Sequence, residues 1–492
     1  MAAPIPFDNT YVKLPEVFYT RQHPTPVKSP GLIKINHQLA VELGIDAEWL
    51  QSQQGIETCA GNYIPESAEP ISTVYAGHQF GGWNPQLGDG RAVLLGELIG
   101  SNNQRYDIQL KGSGQTPYSR NGDGRAPLGP VLREYILSEA MAALGVPSTR
   151  SLAAVMTGEP VFREEVLPGA VLTRVASSHI RIGTFQYFAA MGDVESVRAL
   201  YMHAAQRHYP ETLEAENPAC AFLDAVINRQ AELVAKWQLL GFIHGVMNTD
   251  NILISGETID YGPCAFMDAY HPETVYSSID HQGRYAYVTQ PRIAHWNLSW
   301  LAQSLIPILD SDQEKAIAMA QELIDQFPEK YHRAYDLGLA HKLGFAESNS
   351  EIKALGNDLL GLMASEHVDF TLCFHKLADL SAPEEQPDVP EDLFQLPDSF
   401  DDWLSTWAEL LDRMETNYSS RQLRMRSVNP LYVPRNHLVE DAINRAQNDN
   451  DFVLFHKLID LLAMPYEYQP GMEPYAKPPK PDQMVRQTFC GT

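Results

Sequence analysis

A chain of 492 residues is long enough for two or three domains, and its 44% hydrophobic content suits a folded globular protein. Its formal charge of −26 repels phosphate backbones, which argues against nucleic acid as a partner; an anionic nucleotide would need a local cluster of Arg, Lys and metal. No stretch approaches the ~20 apolar residues of a membrane span. The start, Met1 to Asn9, has neither the basic region nor the apolar core of a signal peptide. Cys59, Cys220, Cys264, Cys373 and Cys490 form no C-x-x-C pair, so a protein of the reducing cytoplasm is expected, without membrane contact.

Residues 1–60 predict an N-terminal extension with one helix from about His37 to Leu50. Residues 61–195 mix short strands and glycine-rich turns, and Ala92–Leu98 is strand-like. In Tyr106–Lys111, Ile108 and Leu110 alternate with Asp107, Gln109 and Lys111, which predicts a strand with one apolar and one polar face. Residues 131–144 predict a helix, because Leu132, Ile136, Ala140 and Leu144 recur every fourth residue and Gly145 is a natural stop. A second clear helix spans 220–240 and is ended by Gly241, from which the chain leads straight into His244. Ile252–Ser255 and Thr258–Asp260 predict a hairpin turned at Gly256-Glu257. Residues 293–380 read as helical, 381–402 as an acidic, proline-rich linker, and 403–465 as helical again before a proline-rich tail. The order is a strand-rich lobe (61–195), a helical lobe (196–380) and a C-terminal extension (381–492). It predicts an α+β, bilobal, protein-kinase-like fold with helical extensions at both ends.

The segment His244-Gly-Val-Met-Asn-Thr-Asp-Asn251 has the layout of a kinase catalytic loop, H-R-D-x-x-x-x-N, followed by Asp260-Tyr261-Gly262 where a kinase carries its metal-binding D-F-G. The position of the catalytic Asp is Val246, which cannot take a proton. Asp250 is the nearest carboxylate to that vacant position, either as a substitute base or as a supporting partner. Asn251 and Asp260 are hard oxygen donors suited to magnesium or manganese. Lys111, on the polar face of a strand, precedes the helical Glu134 by 23 residues, the kinase pairing of a phosphate-gripping lysine with the glutamate that holds it. Two glycine-rich stretches, Gly77–Arg91 and Gly112–Arg125, could let backbone N–H groups approach phosphates, although neither is a Walker loop. Arg174 and Arg181, seven residues apart, could clamp a phosphate. On residues alone three readings stay open: a nucleotide transferase, a small-molecule phosphotransferase with an altered H-G-D loop, and a nucleotide-binding scaffold without activity.

Tyr75-Ala-Gly-His-Gln-Phe-Gly-Gly-Trp83, Leu87-Gly-Asp-Gly-Arg91, Leu110–Arg120, His244–Asn251, Ile259–Pro263 and Asp280–Tyr285 together resemble the selenoprotein O family, the SelO protein adenylyltransferases, over essentially the whole chain. The resemblance implies a kinase-like fold that binds ATP in flipped orientation. AMP then passes to a Ser, Thr or Tyr hydroxyl of a protein, the enzyme itself included, and pyrophosphate leaves; UMP from UTP is a further family possibility, with Mn²⁺. It implies that Lys111, Arg174 and Arg181 contact the displaced phosphates, and that Gly88, Gly90, Arg91, Asp123 and Gly124 line the nucleotide site. It further implies that Glu134 orients Lys111, that Asn251 and Asp260 hold Mg²⁺ or Mn²⁺ beside the nucleotide, and that Asp250 is the proton acceptor. Some members carry selenocysteine near the C-terminus, where this chain has Cys490, and some pair a terminal cysteine with one in the loop after the metal turn. Here that loop, 263–291, offers only Cys264, so a regulatory disulfide is not expected. The absence of a transit peptide fits a bacterial-type cytoplasmic member.

Overall fold

The computed structural model describes residues 5–381, 390, 393–414 and 418–489. Its strands are β1 (Tyr19–Arg21), β2 (Gly31–Ile35), β3 (Ile71–Thr73), β4 (Gly77–Gln79), β5 (Gly82–Asn84), β6 (Ala92–Ile99), β7 (Arg105–Lys111), β8 (Ala126–Pro127), β9 (Arg150–Phe162), β10 (Val166–Ala176), β11 (Phe242–Ile243) and β12 (Ala265–Phe266). One antiparallel sheet runs in the order β1-β3-β6-β7-β10-β9-β2, with β8 paired to β10; β4–β5 and β11–β12 are separate two-stranded ribbons.

Helices α1 (His37–Glu42), α2 (Ala47–Gln51) and α3 (Gln53–Ala60) cover one face of this sheet. Their Leu39, Leu43, Leu50 and Ala60 pack with Leu95, Leu98, Ile108, Leu110, Val171 and Val175. The single helix expected over 37–50 is therefore two. Gly44 takes φ +70° after the first, and Asp46 caps the second by accepting from the N–H of Glu48.

The other face meets α4 (Leu128–Ala143), whose Leu132, Tyr135 and Ile136 share a core with Leu94 and Leu172. On this side the polar face of β7 is not solvated as a simple alternation would suggest: Asp107 and Gln109 are both buried. Arg207 of α6 donates to Asp107 and Arg174 of β10 donates to Gln109 Oε1, while Gln109 Nε2 has no hydrogen-bond partner among the described residues.

After the sheet come α5 (Ile182–Ala190), α6 (Val194–His208), α7 (Pro218–Leu239), α8 (Gln290–Leu309), α9 (Gln313–Asp325), α10 (Phe327–Lys342), α11 (Ser350–Ser365) and α12 (Phe370–Leu380). A second core joins α10–α12 to α13 (Asp401–Met414) through Leu343, Leu359, Phe374, Trp403 and Trp407. The expected linker at 381–402 lies partly outside the described residues, and its last two residues already begin α13. Then follow α14 (Tyr418–Val428), α15 (Asn436–Asp449), α16 (Val453–Leu462) and α17 (Glu473–Ala476). Helices α15 and α16 return to α4, where the rings of Tyr135 and Phe455 lie 5.7 Å apart. The tail runs beside the loop after the Asp260-Tyr261-Gly262 turn: the N–H of Thr488 donates to the Tyr276 carbonyl at 2.8 Å, and Ser278 N–H donates back to the Thr488 carbonyl at 3.0 Å. No described helix is long and apolar enough to cross a membrane.

The hairpin expected over 252–260 does not form. Ile252 and Ile254 pair with Ile182 and Ile180, while Thr258 pairs with Pro147 and Thr149. Each arm finds a neighbour from a distant segment, and Gly256-Glu257 turns the chain between them. Glu257 spends its carboxylate on Ser177 and Ser255.

Candidate active site

Strand register assembles the first part of the site. On β7, Lys111 stands opposite Leu172 of β10 and Gln109 opposite Arg174. Residues two apart on a strand share a face, so Lys111, Gln109 and Arg174 point to the same side. Glu134 of α4 faces them. Lys111 Nζ donates to Glu134 Oε2 at 2.6 Å, and Arg174 Nε donates to Glu134 Oε1 at 2.7 Å. Arg174 Nη1 also donates to Gln109 Oε1 at 3.3 Å.

Asp260 closes the cluster. Its Oδ1 accepts from Lys111 Nζ at 3.0 Å and from Arg174 Nη2 at 2.7 Å, and its Oδ2 accepts from Arg181 Nη1 at 3.0 Å. Arg181, at the start of α5, also donates to the Asp250 carbonyl and lies over the Tyr75 ring, 4.7 Å from its centroid. Asp260 holds φ +62°, a left-handed conformation that a non-glycine residue keeps only when its surroundings enforce it.

Three cations thus meet two carboxylates below a chain of strong negative charge. Burial alone would raise the Asp260 pKa, but Lys111, Arg174 and Arg181 outweigh it and hold the carboxyl well below its ordinary range. Burial and charge oppose each other in the same way at Glu134, where Arg174 and Lys111 prevail and keep it ionised. Glu134, Arg174 and Arg181 are all nearly inaccessible to water. In such a low-dielectric setting the positive charge of the two arginines is little screened by water.

The second part is the loop 244–251. Burial keeps His244 neutral, its Nε2 bonds the Ile259 carbonyl at 2.9 Å, and its Nδ1 accepts from the N–H of Val246. Val246 is buried, so no proton acceptor occupies the kinase base position. Asn251 donates from Nδ2 to the Val246 carbonyl at 3.0 Å, which leaves Oδ1 as its remaining ligand atom.

Asp250 lies beneath the β4–β5 ribbon. Its Oδ2 accepts from Gln79 Nε2 at 3.1 Å, while its Oδ1 is buried with no hydrogen-bond partner among the described residues. Gly77 makes this approach possible, because a Cβ there would stand 2.4 Å from that Oδ1. His78 N–H to Thr249 Oγ1 (2.7 Å) and Phe80 N–H to Asn248 Oδ1 (3.0 Å) stitch the ribbon to the loop. Burial pushes the Asp250 carboxyl up to about 6, against the opposing pull of Arg181 and Gln79. A general base poised near operating pH needs such a shift.

The structure therefore brings Lys111, Glu134, Arg174, Arg181 and Asp260 into one hydrogen-bonded group, with the Asp250 backbone joined to it through Arg181, while the Asn251 side chain bonds the Val246 carbonyl. Gly88, Gly90 and Arg91 lie in a loop joined to the end of β7 by the bond from Gly112 N–H to the Arg91 carbonyl, 2.7 Å. Gly88 is required there: at φ +113° its missing Cβ makes room for the Tyr118 ring. Asp123 and Gly124 sit in the neighbouring loop, where Arg163 takes both Asp123 oxygens at 2.9 and 3.0 Å. Sequence reasoning gave no role to Tyr75, Gln79, Gln109 or Asn248. Tyr75 and Gln79 fall in the quoted Tyr75–Trp83 motif, and Gln109 was on the polar face of its strand; those were the available signals.

Among the described residues no three His, Cys, Asp or Glu side chains are grouped to hold a metal. Asn251 and Asp260 offer two hard oxygen donors, which fits a divalent ion that arrives with nucleotide phosphates and keeps its own waters better than a closed protein cage. Among the described residues Cys59, Cys220, Cys264 and Cys373 are thiols, and Cys490 lies outside them.

The buried cations gathered on Asp260, together with the raised Asp250 carboxyl, make this cluster the candidate active site. The family model described as protein adenylyltransferase SelO matches residues 3–463, and the chain belongs to that family. It is similar at 56% identity, over the whole length of both chains, to a protein nucleotidyltransferase YdiU of Bradyrhizobium diazoefficiens. It is 55% identical to one of Rhizobium etli, with 99% of this chain and 97% of the relative covered.

Proposed function

We propose that the chain transfers AMP from ATP, or UMP from UTP, to Ser, Thr or Tyr hydroxyls of proteins, itself included, on a bilobal kinase-like scaffold in the cytoplasm. That it is a protein nucleotidyltransferase follows from its family. The observation that carries the residue assignments is the pairing of an apolar Val246 at the kinase base position with three cations, Lys111, Arg174 and Arg181, gathered on Asp260. A site built for γ-transfer would need a base at 246. This one concentrates its cations where a β,γ-diphosphate would be held as the leaving group.

In the proposed step Asp250 accepts the proton of the acceptor hydroxyl. The hydroxyl oxygen bonds to the α-phosphorus, the bond from that phosphorus to the α,β-bridging oxygen breaks, and pyrophosphate departs with the electron pair. Lys111, Arg174 and Arg181 hold the charge that develops on the leaving oxygens, and Glu134 fixes Lys111 and Arg174 in place. Asn251 and Asp260 would hold Mg²⁺ or Mn²⁺, which supplies charge neutralisation on the phosphates. Gly88, Gly90, Arg91, Asp123 and Gly124 are proposed to line the nucleotide; for Asp123 this requires sharing with, or release from, Arg163.

Incubation with α-³²P-ATP and, separately, γ-³²P-ATP tests the reading. Label is expected on protein from the α position alone. Label from the γ position alone would make the chain a phosphotransferase, and nucleotide-dependent thermal stabilisation without label from either would make it a binding scaffold.

A further inference from the structure

Arg133 adjoins Glu134 on α4, but consecutive helical residues point about 100° apart, and its side chain serves a different set of partners. Its guanidinium is buried, and each of its three nitrogens donates a hydrogen bond. Nε donates to the Gly262 carbonyl at 2.9 Å, and Nη2 donates to the Cys264 carbonyl and to Asn436 Oδ1, the latter at 2.9 Å. Nη1 donates to Glu440 Oε1 at 2.9 Å. Gly262 ends the Asp260-Tyr261-Gly262 turn, and Asn436 and Glu440 belong to the first two turns of α15. One side chain therefore touches three pieces of the molecule: the helix that carries Glu134, the turn that carries Asp260, and the C-terminal helices.

The α15 end of this link is itself anchored. Arg435, the residue before α15, donates to Asp369 from Nη1 at 2.6 Å and from Nη2 at 3.0 Å, to Asp268 at 2.8 Å, and to the Ala476 carbonyl. Two residues on, Tyr135 packs against Phe455 of α16, a second tie between α4 and the C-terminal helices. Charge-assisted bonds from a planar guanidinium to carbonyl oxygens are directional as well as strong, so they fix orientation and not only distance. Lys111 bonds both Glu134 of α4 and Asp260 of the turn, so the two bonds form together only at a set spacing of α4 and the turn, and Arg133 on α4 bonds the carbonyl of Gly262 in that turn.

We propose that Arg133 is a positioning residue of the transfer site: through it α15 sets the spacing and orientation of Glu134 against the Asp260 turn. The C-terminal helices thereby belong to the catalytic apparatus without contributing a reacting group. The inference rests on the reading of Lys111, Glu134 and Asp260 given above.

The test compares wild type, Arg133→Met, Arg133→Lys and Glu440→Ala in the α-³²P-ATP assay across a Mn²⁺ titration, at a temperature where melting curves show each protein folded. Arg133→Met is expected to lower kcat roughly 10- to 100-fold, with KM for ATP changed less than kcat, and to raise the half-saturating Mn²⁺ concentration several-fold. Arg133→Lys, which can keep one carbonyl bond, should fall between it and wild type. Glu440→Ala leaves both carbonyl bonds and the Asn436 bond intact and removes one of the two ties to α15, so it should show the same metal shift in smaller degree; it also serves if Arg133→Met does not fold. Variants that melt earlier but keep wild-type kcat and Mn²⁺ dependence would overturn the proposal and leave Arg133 a structural residue. Wild type that transfers no α-label would instead overturn the reading of the site on which the proposal rests.

Discussion

Asp260→Ala is expected to lower transfer of α-label at least about a thousandfold, because the substitution removes two functions together. It deletes the proposed metal oxygen donor, whose ion would supply several kcal/mol of transition-state stabilisation, and each ~1.4 kcal/mol is a factor of ten. It also removes the carboxylate that Lys111, Arg174 and Arg181 share, leaving three cations with only Glu134 among the carboxylates of the cluster. A buried charge that loses its partner destabilises a fold by about 3–5 kcal/mol. The Asp260 side chain is 24% exposed, so water will screen part of that loss and the lower end of the range is expected. The variant should therefore melt earlier than wild type and bind triphosphate without turning it over. Label incorporation and a melting curve, each with and without Mn²⁺-ATP, measure both effects. Transfer within tenfold of wild type would remove Asp260 from the metal site.

Asp250→Asn is expected to lower the rate by about 10²–10⁴, the usual contribution of a general base, without lowering stability. The asparagine oxygen can still accept from Gln79, and the packing against Gly77 is kept. The pH profile carries the sign. The Asp250 carboxyl titrates near 6 in the fold, whereas an unfolded aspartate titrates near ~3.9. A base acts when ionised, so the wild-type rate should rise with pH through about 6 and level off above it. For stability the sign is opposite: the folded state holds this proton more tightly than the unfolded chain, so the stabilisation from the protonated form is complete below ~4 and is lost as pH rises through about 6. The asparagine variant never ionises. It should melt no earlier than wild type at neutral pH and should lack the rise near pH 6. An unchanged rate in this variant would pass the role of base to another group.

How much of this was legible in the sequence depended on the range of each interaction. Lys111 and Glu134 were readable because a strand period and a helix period place each on a defined face, and the loop 244–262 because its spacing is that of a short metal-binding segment. The split at Gly44 was missed because apolar spacing continues across it, and only the left-handed glycine and the Asp46 cap reveal the break. The arms at 252–260 were paired with each other because nothing local names Ile180, Ile182 or Pro147 as their partners. The same holds for Gln79, which meets Asp250 across 171 residues, and for Arg133, whose acceptors include two backbone carbonyls that leave no mark on composition. Asp123 was expected at the nucleotide on resemblance; its pairing with Arg163 is a surface contact between a loop and a hairpin end that no periodicity announces.

The central claim is that the triphosphate lies with its terminal phosphates inward, on the cluster of Lys111, Arg174 and Arg181, so that the α-phosphorus is presented to the acceptor beside Asp250. A crystal structure with Mn²⁺ and a non-hydrolysable ATP analogue tests it most directly. The account predicts the β- and γ-phosphates on those three cations and the α-phosphate toward Asp250; a γ-phosphate directed outward, toward the acceptor, would contradict it.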